Sequence, residues 1–162
     1  MAISQGDTLP DATLVENTDK GPAQVSLTER LKGRKVVIFA LPGAFTGTCT
    51  TAHVPSFIRT ADQFRAKGVD EVICLSVNDP FVMGAWDQQT GAGKAGITMM
   101  ADPSAEFTKA VGMDFSAPPV GLIDRSKRYA MCVEDGKVTV IQAEENPGVC
   151  DTSGGEALLE SI

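Results

Sequence analysis

The chain has 162 residues, 43% of them hydrophobic, and a formal charge of 14 − 21 = −7. That length and apolar content suffice for one globular domain, residues 1–162, whose core needs no disulfide or metal staple. The acidic balance, with no basic cluster standing out against it, argues against nucleic acid and anionic membrane as partners.

The N-terminal run Met1-Ala2-Ile3-Ser4-Gln5-Gly6-Asp7 has neither a charged n-region nor an apolar h-region. No stretch of about 18 apolar residues occurs anywhere, so neither signal peptide nor membrane span is expected, and a cytoplasmic location is the default. The four cysteines, Cys49, Cys74, Cys132 and Cys150, include no Cys-x-x-Cys pair. Two of them lie in strand-like runs, which favours reduced thiols in a reducing compartment over a disulfide framework.

Leu9 to Val15 is a modest strand candidate, followed by a turn at Asp19-Lys20-Gly21-Pro22. Ser26-Leu27-Thr28-Glu29 has capping-box spacing, and Gly33 sits where that short helix would end. Val36 to Leu41 is the most strand-like run of the chain, apolar throughout and rich in β-branched residues. A Pro/Gly turn follows, then Val54, Phe57, Ile58, Ala61 and Phe64 at the spacing of one buried helical face. Pro55 lies too far in to be a first-turn proline and is expected to kink or interrupt that helix.

Val72 to Val77 reads as a second buried strand, ending in Asn78-Asp79-Pro80, where Asp79 can cap a helix and Pro80 begin it. Phe81, Met83 and Trp86 on that helix are core residues by default. Ile97 to Met100 is a short strand, Asp102-Pro103 repeats the cap-then-proline start, and Phe115 to Pro119 reads as an irregular connector. Asp135-Gly136 between the apolar runs Tyr129–Val133 and Val138–Ile141 signals a hairpin, and Ser153-Gly154-Gly155-Glu156 has capping-box spacing before a last helix. Alternating strands and helices closed by a hairpin predict an α/β domain, a central mixed sheet with helices on both faces.

Chemistry concentrates at Cys49. It stands in or near the first turn of the helix that follows the buried strand, where free backbone N–H groups and the helix dipole favour a thiolate, the nucleophilic form. The strand-cysteine-helix order suggests the thioredoxin-like fold, but position 52 is Ala52, so dithiol exchange at this turn is unavailable. Thr46, one turn upstream, can donate to one atom and accept from another, and Pro42 can shield the thiolate from water. These parts suit attack of a thiolate on a peroxide oxygen.

The stretch Pro42-x-x-x-Thr46-x-x-Cys49 resembles the active-site motif of the peroxiredoxins. The longer Pro-Gly-Ala-Phe-Thr-x-x-Cys run, with His53-Val54-Pro55 after it, is similar to the type II, peroxiredoxin-5-like branch. Cys74 to Met83 and Arg125 to Ala130 carry the likeness along most of the chain, with one departure at Gly47, where many relatives have a second proline.

The resemblance implies a thiol peroxidase that reduces hydrogen peroxide and alkyl hydroperoxides through a sulfenic acid and needs no metal, flavin or haem. Cys49 would be the peroxidatic residue, Thr46 would bond the peroxide, Pro42 would pack over the site and Arg128 would stabilise thiolate and transition state. Arg125 and Lys127 are rivals to Arg128 that read more simply as solvated turn residues. Glutathione with glutaredoxin, or thioredoxin, would be the reductant, and a homodimer is expected.

Cys74 matches a second cysteine of plant-type relatives discussed as resolving, although its apolar strand suits core packing. Cys150 is expected to be exposed in a late loop; animal-type members carry a resolving cysteine in such a loop, but the residues around Cys150 do not align with it, and it reads more simply as an incidental loop cysteine. Cys132 reads as structural. His53, four residues after Cys49, reads as a supporting hydrogen-bonding residue. A non-enzymatic redox sensor, or a zinc module built on Cys49 and His53, are the rival functions.

Overall fold

A computed structural model describes residues 1–162. Its centre is a seven-stranded mixed sheet in the order β2-β1-β5-β4-β3-β8-β9. Strands β3 (Lys35–Leu41), β4 (Glu71–Ser76) and β5 (Ile97–Ala101) run parallel. They are flanked antiparallel by β1 (Thr13–Thr18) and β2 (Gly21–Ser26) on one side, and by β8 (Tyr129–Glu134) and β9 (Lys137–Ala143) on the other.

The continuous apolar runs are explained by burial on both faces. Phe39 and Cys74 point to one layer, where α2 (Val54–Ala66), α3 (Pro80–Thr90) and α5 (Gly155–Ser161) supply Phe57, Phe64, Trp86 and Leu158. Ile38, Leu75 and Met131 point to the other, covered by Leu27 and Leu31 of α1 (Leu27–Leu31) and Phe107 of α4 (Glu106–Ala110). The expected mixed sheet with helices on both faces is what forms.

Several local signals act as their chemistry requires. Ser26 caps α1 by accepting from the Glu29 amide at 3.4 Å, and Asp79 caps α3 by accepting from the Val82 amide at 2.8 Å. Asp135 and Gly136, with φ of 49° and 80°, form the tight turn between β8 and β9.

Other expectations are corrected. The turn at 19–22 is tighter than its residues suggest: Asp19-Lys20 alone closes the β1–β2 hairpin, and Gly21-Pro22 already belong to β2. Asp102-Pro103 does not begin a helix. The buried Asp102 carboxylate reaches forward to the amides of Phe107 and Thr108, at 3.3 and 2.9 Å, and α4 starts only at Glu106. Phe115–Pro119 is not an irregular connector throughout, since β6 (Asp114–Ala117) pairs with β7 (Leu122–Ser126) in a separate small sheet. Ser153 does not cap α5, whose N-cap is Gly154; the serine hydroxyl goes to Glu144 instead. Phe81 is 67% exposed, whereas Met83 and Trp86 are buried.

Helix α5 lies close on α2 through Gly155, whose amide donates to Ser56 Oγ at 2.9 Å. A Cβ there would collide with the Ser56 carbonyl oxygen and with Thr60 Oγ1. Backbone cannot yield as a flexible side-chain tip does, so Gly155→Ala is expected to cost about 2 kcal/mol by overpacking. In a thermal melt this lowers Tm by about 4–8 °C for a chain of this size, and an unchanged Tm would show that α5 is free to shift.

Candidate active site

Residues 47–66 are continuously helical, and Cys49 stands in the first turn. The turn is not α-helical: Cys49–His53 form a π-helical turn, with the Val54 amide donating back to the Cys49 carbonyl. Pro55 gives the physical reason. It has no N–H to offer, and in a regular helix its ring would press on the carbonyl four residues back, at Thr51. Widening the preceding turn relieves that pressure. The expected interruption therefore falls ahead of the proline, and α2 restarts at Val54 with Pro55 in its first turn, contrary to its reading as too deep for one.

The preceding turn is held from both sides. The Ala44 amide donates to Asn78 Oδ1 at 3.0 Å, and the Thr46 hydroxyl donates to the Gly43 carbonyl at 2.7 Å. Phe45 takes a left-handed conformation, φ 63°, which a bulky side chain adopts only when its surroundings impose it. Behind the π turn, the buried Trp86 indole donates to Thr50 Oγ1 at 3.2 Å.

Cys49 is 1% exposed, and its Sγ accepts from Nη2 of Arg128 at 3.2 Å. Arg128 immediately precedes β8, whose first residue, Tyr129, pairs with Ala40 at the end of β3. Its guanidinium is itself buried, 1% exposed, and every nitrogen has a partner. Nε and Nη2 donate to the Pro147 carbonyl at 3.1 and 2.9 Å, and Nη1 faces Nδ1 of His53 at 3.0 Å.

Arginine has no acceptor, so His53 Nδ1 accepts and the ring proton sits on Nε2, which donates to the Ser153 carbonyl at 3.0 Å. Burial, then the Arg128 charge, push the His53 pKa down to about 3 against the opposing bond to Ser153. Phe39 and Phe57 enclose the ring, with centroids 5.1 and 5.7 Å away.

A cavity of about 340 Å³ opens over this constellation, lined among others by Pro42, Thr46, Arg128, Phe115, Val120 and Pro147. Cys49 itself is not in its lining; its neighbours in the turn and its guanidinium partner are. The sequence-derived set Pro42, Thr46, Cys49, His53 and Arg128 is thus gathered in one place.

Cys74 is not exposed there. It is buried at the middle of β4, between Phe39 and Met99 in the sheet, and burial first, then the nearby Cys49, push its thiol well up. Cys132 is buried in β8 as expected. Cys150 is half-buried rather than exposed, and burial raises its thiol too. All four cysteines are free.

Of the two rival cations, Lys127 is exposed, but Arg125 is no solvated turn residue. It is partly buried and donates to the Pro42 carbonyl at 3.1 Å, passing over Gly43 where a Cβ would collide with it. No three His, Cys, Asp or Glu side chains are grouped to hold a metal ion. The two residues of the zinc alternative instead share the Arg128 cation. Sequence reasoning noted Cys150 in the loop 144–153 but missed the loop's part in the site, because that part is played by the carbonyls of Pro147 and Ser153, which no residue type announces.

The chain matches the Redoxin family over residues 4–159. It is 46% identical to peroxiredoxin-2E-2, chloroplastic, of Oryza sativa subsp. japonica, over 99% of this chain and 72% of that protein. Among solved structures, reduced Prx3 of Vibrio vulnificus in complex with hydrogen peroxide superposes with a TM-score of 0.92 at 45% identity, covering 98% of both chains. Peroxiredoxin 5 of Alvinella pompejana superposes at 0.85 with 31% identity, covering 98% and 97%. The chain therefore belongs to the redoxin family, and within it to the type II, peroxiredoxin-5-like peroxiredoxins, which are thiol-dependent peroxidases.

Proposed function

We propose that the peroxidase reaction of this chain is carried by Cys49, with Arg128, Thr46 and Pro42 around it, on hydrogen peroxide and alkyl hydroperoxides. The observation that carries the reading is the 3.2 Å bond from a buried, permanently charged guanidinium to Cys49 Sγ. The Sγ electron pair attacks one peroxide oxygen, the S–O bond forms as the O–O bond breaks, and the departing oxygen takes a proton to leave as water or alcohol. Cys49 ends as a sulfenic acid. Arg128 stabilises the charge as it moves from sulfur to the leaving oxygen. The Thr46 hydroxyl gives its own proton to Gly43, which leaves its lone pairs free to accept from the peroxide O–H. Pro42, held by Arg125, closes one side of the cavity.

For regeneration we favour an external thiol. Glutathione, unaided or with glutaredoxin, displaces water from the sulfenic acid to give a mixed disulfide, and a second thiol releases Cys49. The buried, protonated Cys74 is a poor attacking group and reaches Cys49 only if the π turn melts. The thioredoxin system is the alternative reductant. We read the chain as a single domain working in the cytoplasm or another reducing compartment, and as a homodimer, since Phe45, in the turn before Cys49, and Phe81, at the start of α3, remain exposed.

The test is steady-state peroxide turnover with glutathione and glutaredoxin, and separately with thioredoxin. Cys49→Ser is expected to fall below about a hundredth of wild type, while Cys74→Ser and Cys150→Ser keep most of the glutaredoxin-supported rate. Loss of that rate in Cys74→Ser, with a Cys49–Cys74 bridge found by mass spectrometry of the oxidised protein, would overturn the external route. Sedimentation of the same preparations reads the subunit number, and a monomer would remove the dimer.

His53 supplies a second check. It is the only histidine, so its ring resonances are unambiguous in NMR. With the folded pKa depressed from 6.5 to about 3, the unfolded chain binds a proton that the folded one refuses. Its contribution to stability is therefore full above pH 6.5 and declines as pH falls towards 3. The ring is expected to stay neutral, protonated at Nε2, from pH 8 to 5; an ordinary titration near 6.5 would show that the ring is neither buried nor faced by Arg128.

A further inference from the structure

The loop 144–153 makes four separate attachments to the site. The Pro147 carbonyl takes two bonds from Arg128, the Gly148 carbonyl takes one from Thr48 Oγ1 at 2.9 Å, and the Ser153 carbonyl takes one from His53. Carbonyls of a loop point correctly only if the loop is held, and this one contains the turn-prone Asn146-Pro147-Gly148. The turn itself closes through the Gly148 amide on Asn146 Oδ1 and the Val149 amide on the Asn146 carbonyl, and one carboxylate oxygen ties the two ends of the loop together. Oε2 of Glu144, at the start of the loop, accepts from the Asp151 amide at 2.7 Å, the Ser153 amide at 2.7 Å and Ser153 Oγ at 2.6 Å. The Glu144 amide in turn donates to the Arg128 carbonyl at 3.0 Å. The path closes on itself: Glu144, Ser153, His53, Arg128 and back to Glu144, with Cys49 attached at Arg128.

We propose that Glu144 is a positioning residue of the peroxidase site, which clasps the two ends of the loop 144–153 and so fixes the carbonyls that hold Arg128, directly and through His53, against Cys49. It touches neither sulfur nor cavity and acts only through the loop. The inference rests on the reading of Cys49 and Arg128 as the reacting pair. Burial alone would raise the Glu144 carboxyl, yet the Ser153 and Asp151 donors outweigh it and hold the carboxyl below its usual range, as a charged clasp requires. Without the clasp, Pro147 and Ser153 swing away, and the guanidinium loses the acceptors that fix its plane while keeping its charge.

The conservative variant makes the test specific. All three donors converge on a single oxygen, which the amide oxygen of glutamine can replace, whereas alanine removes it. Second-order rates with hydrogen peroxide, normalised to titratable Cys49, are to be compared with iodoacetamide alkylation. Glu144→Ala is expected to slow the peroxide reaction about tenfold or more relative to iodoacetamide on the same preparation, with Glu144→Gln recovering to within about threefold of wild type. Should Glu144→Ala fail to fold, Ser153→Ala, which deletes one of the three donors, is expected to slow the peroxide reaction about twofold or more.

A wild-type ratio of peroxide to iodoacetamide rates in Glu144→Ala, or in Ser153→Ala when that variant stands in for it, would overturn the proposal. Arg128→Ala, run alongside, separates the two levels. If it too keeps the wild-type peroxide rate, the reading of the reacting pair has failed; if it is slowed while Glu144→Ala is not, only the clasp has.

Discussion

Arg128 carries its charge at 1% exposure, and a guanidinium taken out of water is tolerable only where its donors find acceptors. Here the acceptors are a thiol sulfur, an imidazole nitrogen and a loop carbonyl used twice. They are presented by the two ends of the π turn, Cys49 and His53, and by the loop after β9, while the cation itself stands just before β8. Satisfying one buried cation therefore forces three segments into a fixed mutual arrangement. The same arrangement leaves Cys49 facing a positive charge that cannot be neutralised by deprotonation. Stability and reactivity meet in this one side chain.

The fold supplies rigid supports for that meeting. Strands β3 and β8 pair along their length, from Lys35 with Glu134 to Ala40 with Tyr129, so the turn after β3 and the residue before β8 emerge at the same sheet end. That places Cys49 and Arg128 together although they are far apart in sequence. Layers of aromatic side chains fix the depth: Phe39 of β3 stacks on Phe57 of α2 at 4.0 Å between ring centroids, with His53 wedged against both. The widened turn forced by Pro55 sits where it sets the orientation of Cys49. It is also one backbone bond short, since the proline has no N–H to give there. In the mechanism proposed above, the turn that lacks this bond is the one that admits a peroxide and later a reducing thiol.

Sequence reasoning reached the parts of this account that residue type announces. The apolar runs of β3 and β4, the caps at Ser26 and Asp79 and the Asp135-Gly136 turn act through local chemistry, and each forms as its residues dictate. The gathering of Pro42, Thr46, Cys49, His53 and Arg128 was legible through their spacing in a resembling motif. What escaped is what acts through backbone or through distant contact. Ser153-Gly154-Gly155-Glu156 has the spacing of a cap, but a carboxylate nine positions upstream, at Glu144, claims the serine first. The Asp102 carboxylate reaches the first-turn amides of a helix that starts three residues later than its adjacent proline suggests. Arg125 looks like a surface cation until the absence of a side chain at Gly43 lets it lie over the Pro42 carbonyl. The strands β6 and β7 are too short and too mixed in polarity to stand out from a connector.

The central claim is that the geometry of the Arg128 fork, and not its charge alone, prepares Cys49. Arg128→Lys separates the two, because an ammonium keeps the charge but cannot address sulfur, imidazole and carbonyl from one plane. The measurement is the stopped-flow second-order rate constant for hydrogen peroxide, divided by the rate constant for iodoacetamide on the same preparation. The account predicts a ratio about tenfold or more below wild type, equivalent to about 1.4 kcal/mol or more of lost transition-state stabilisation. A wild-type ratio in the folded lysine variant would contradict it.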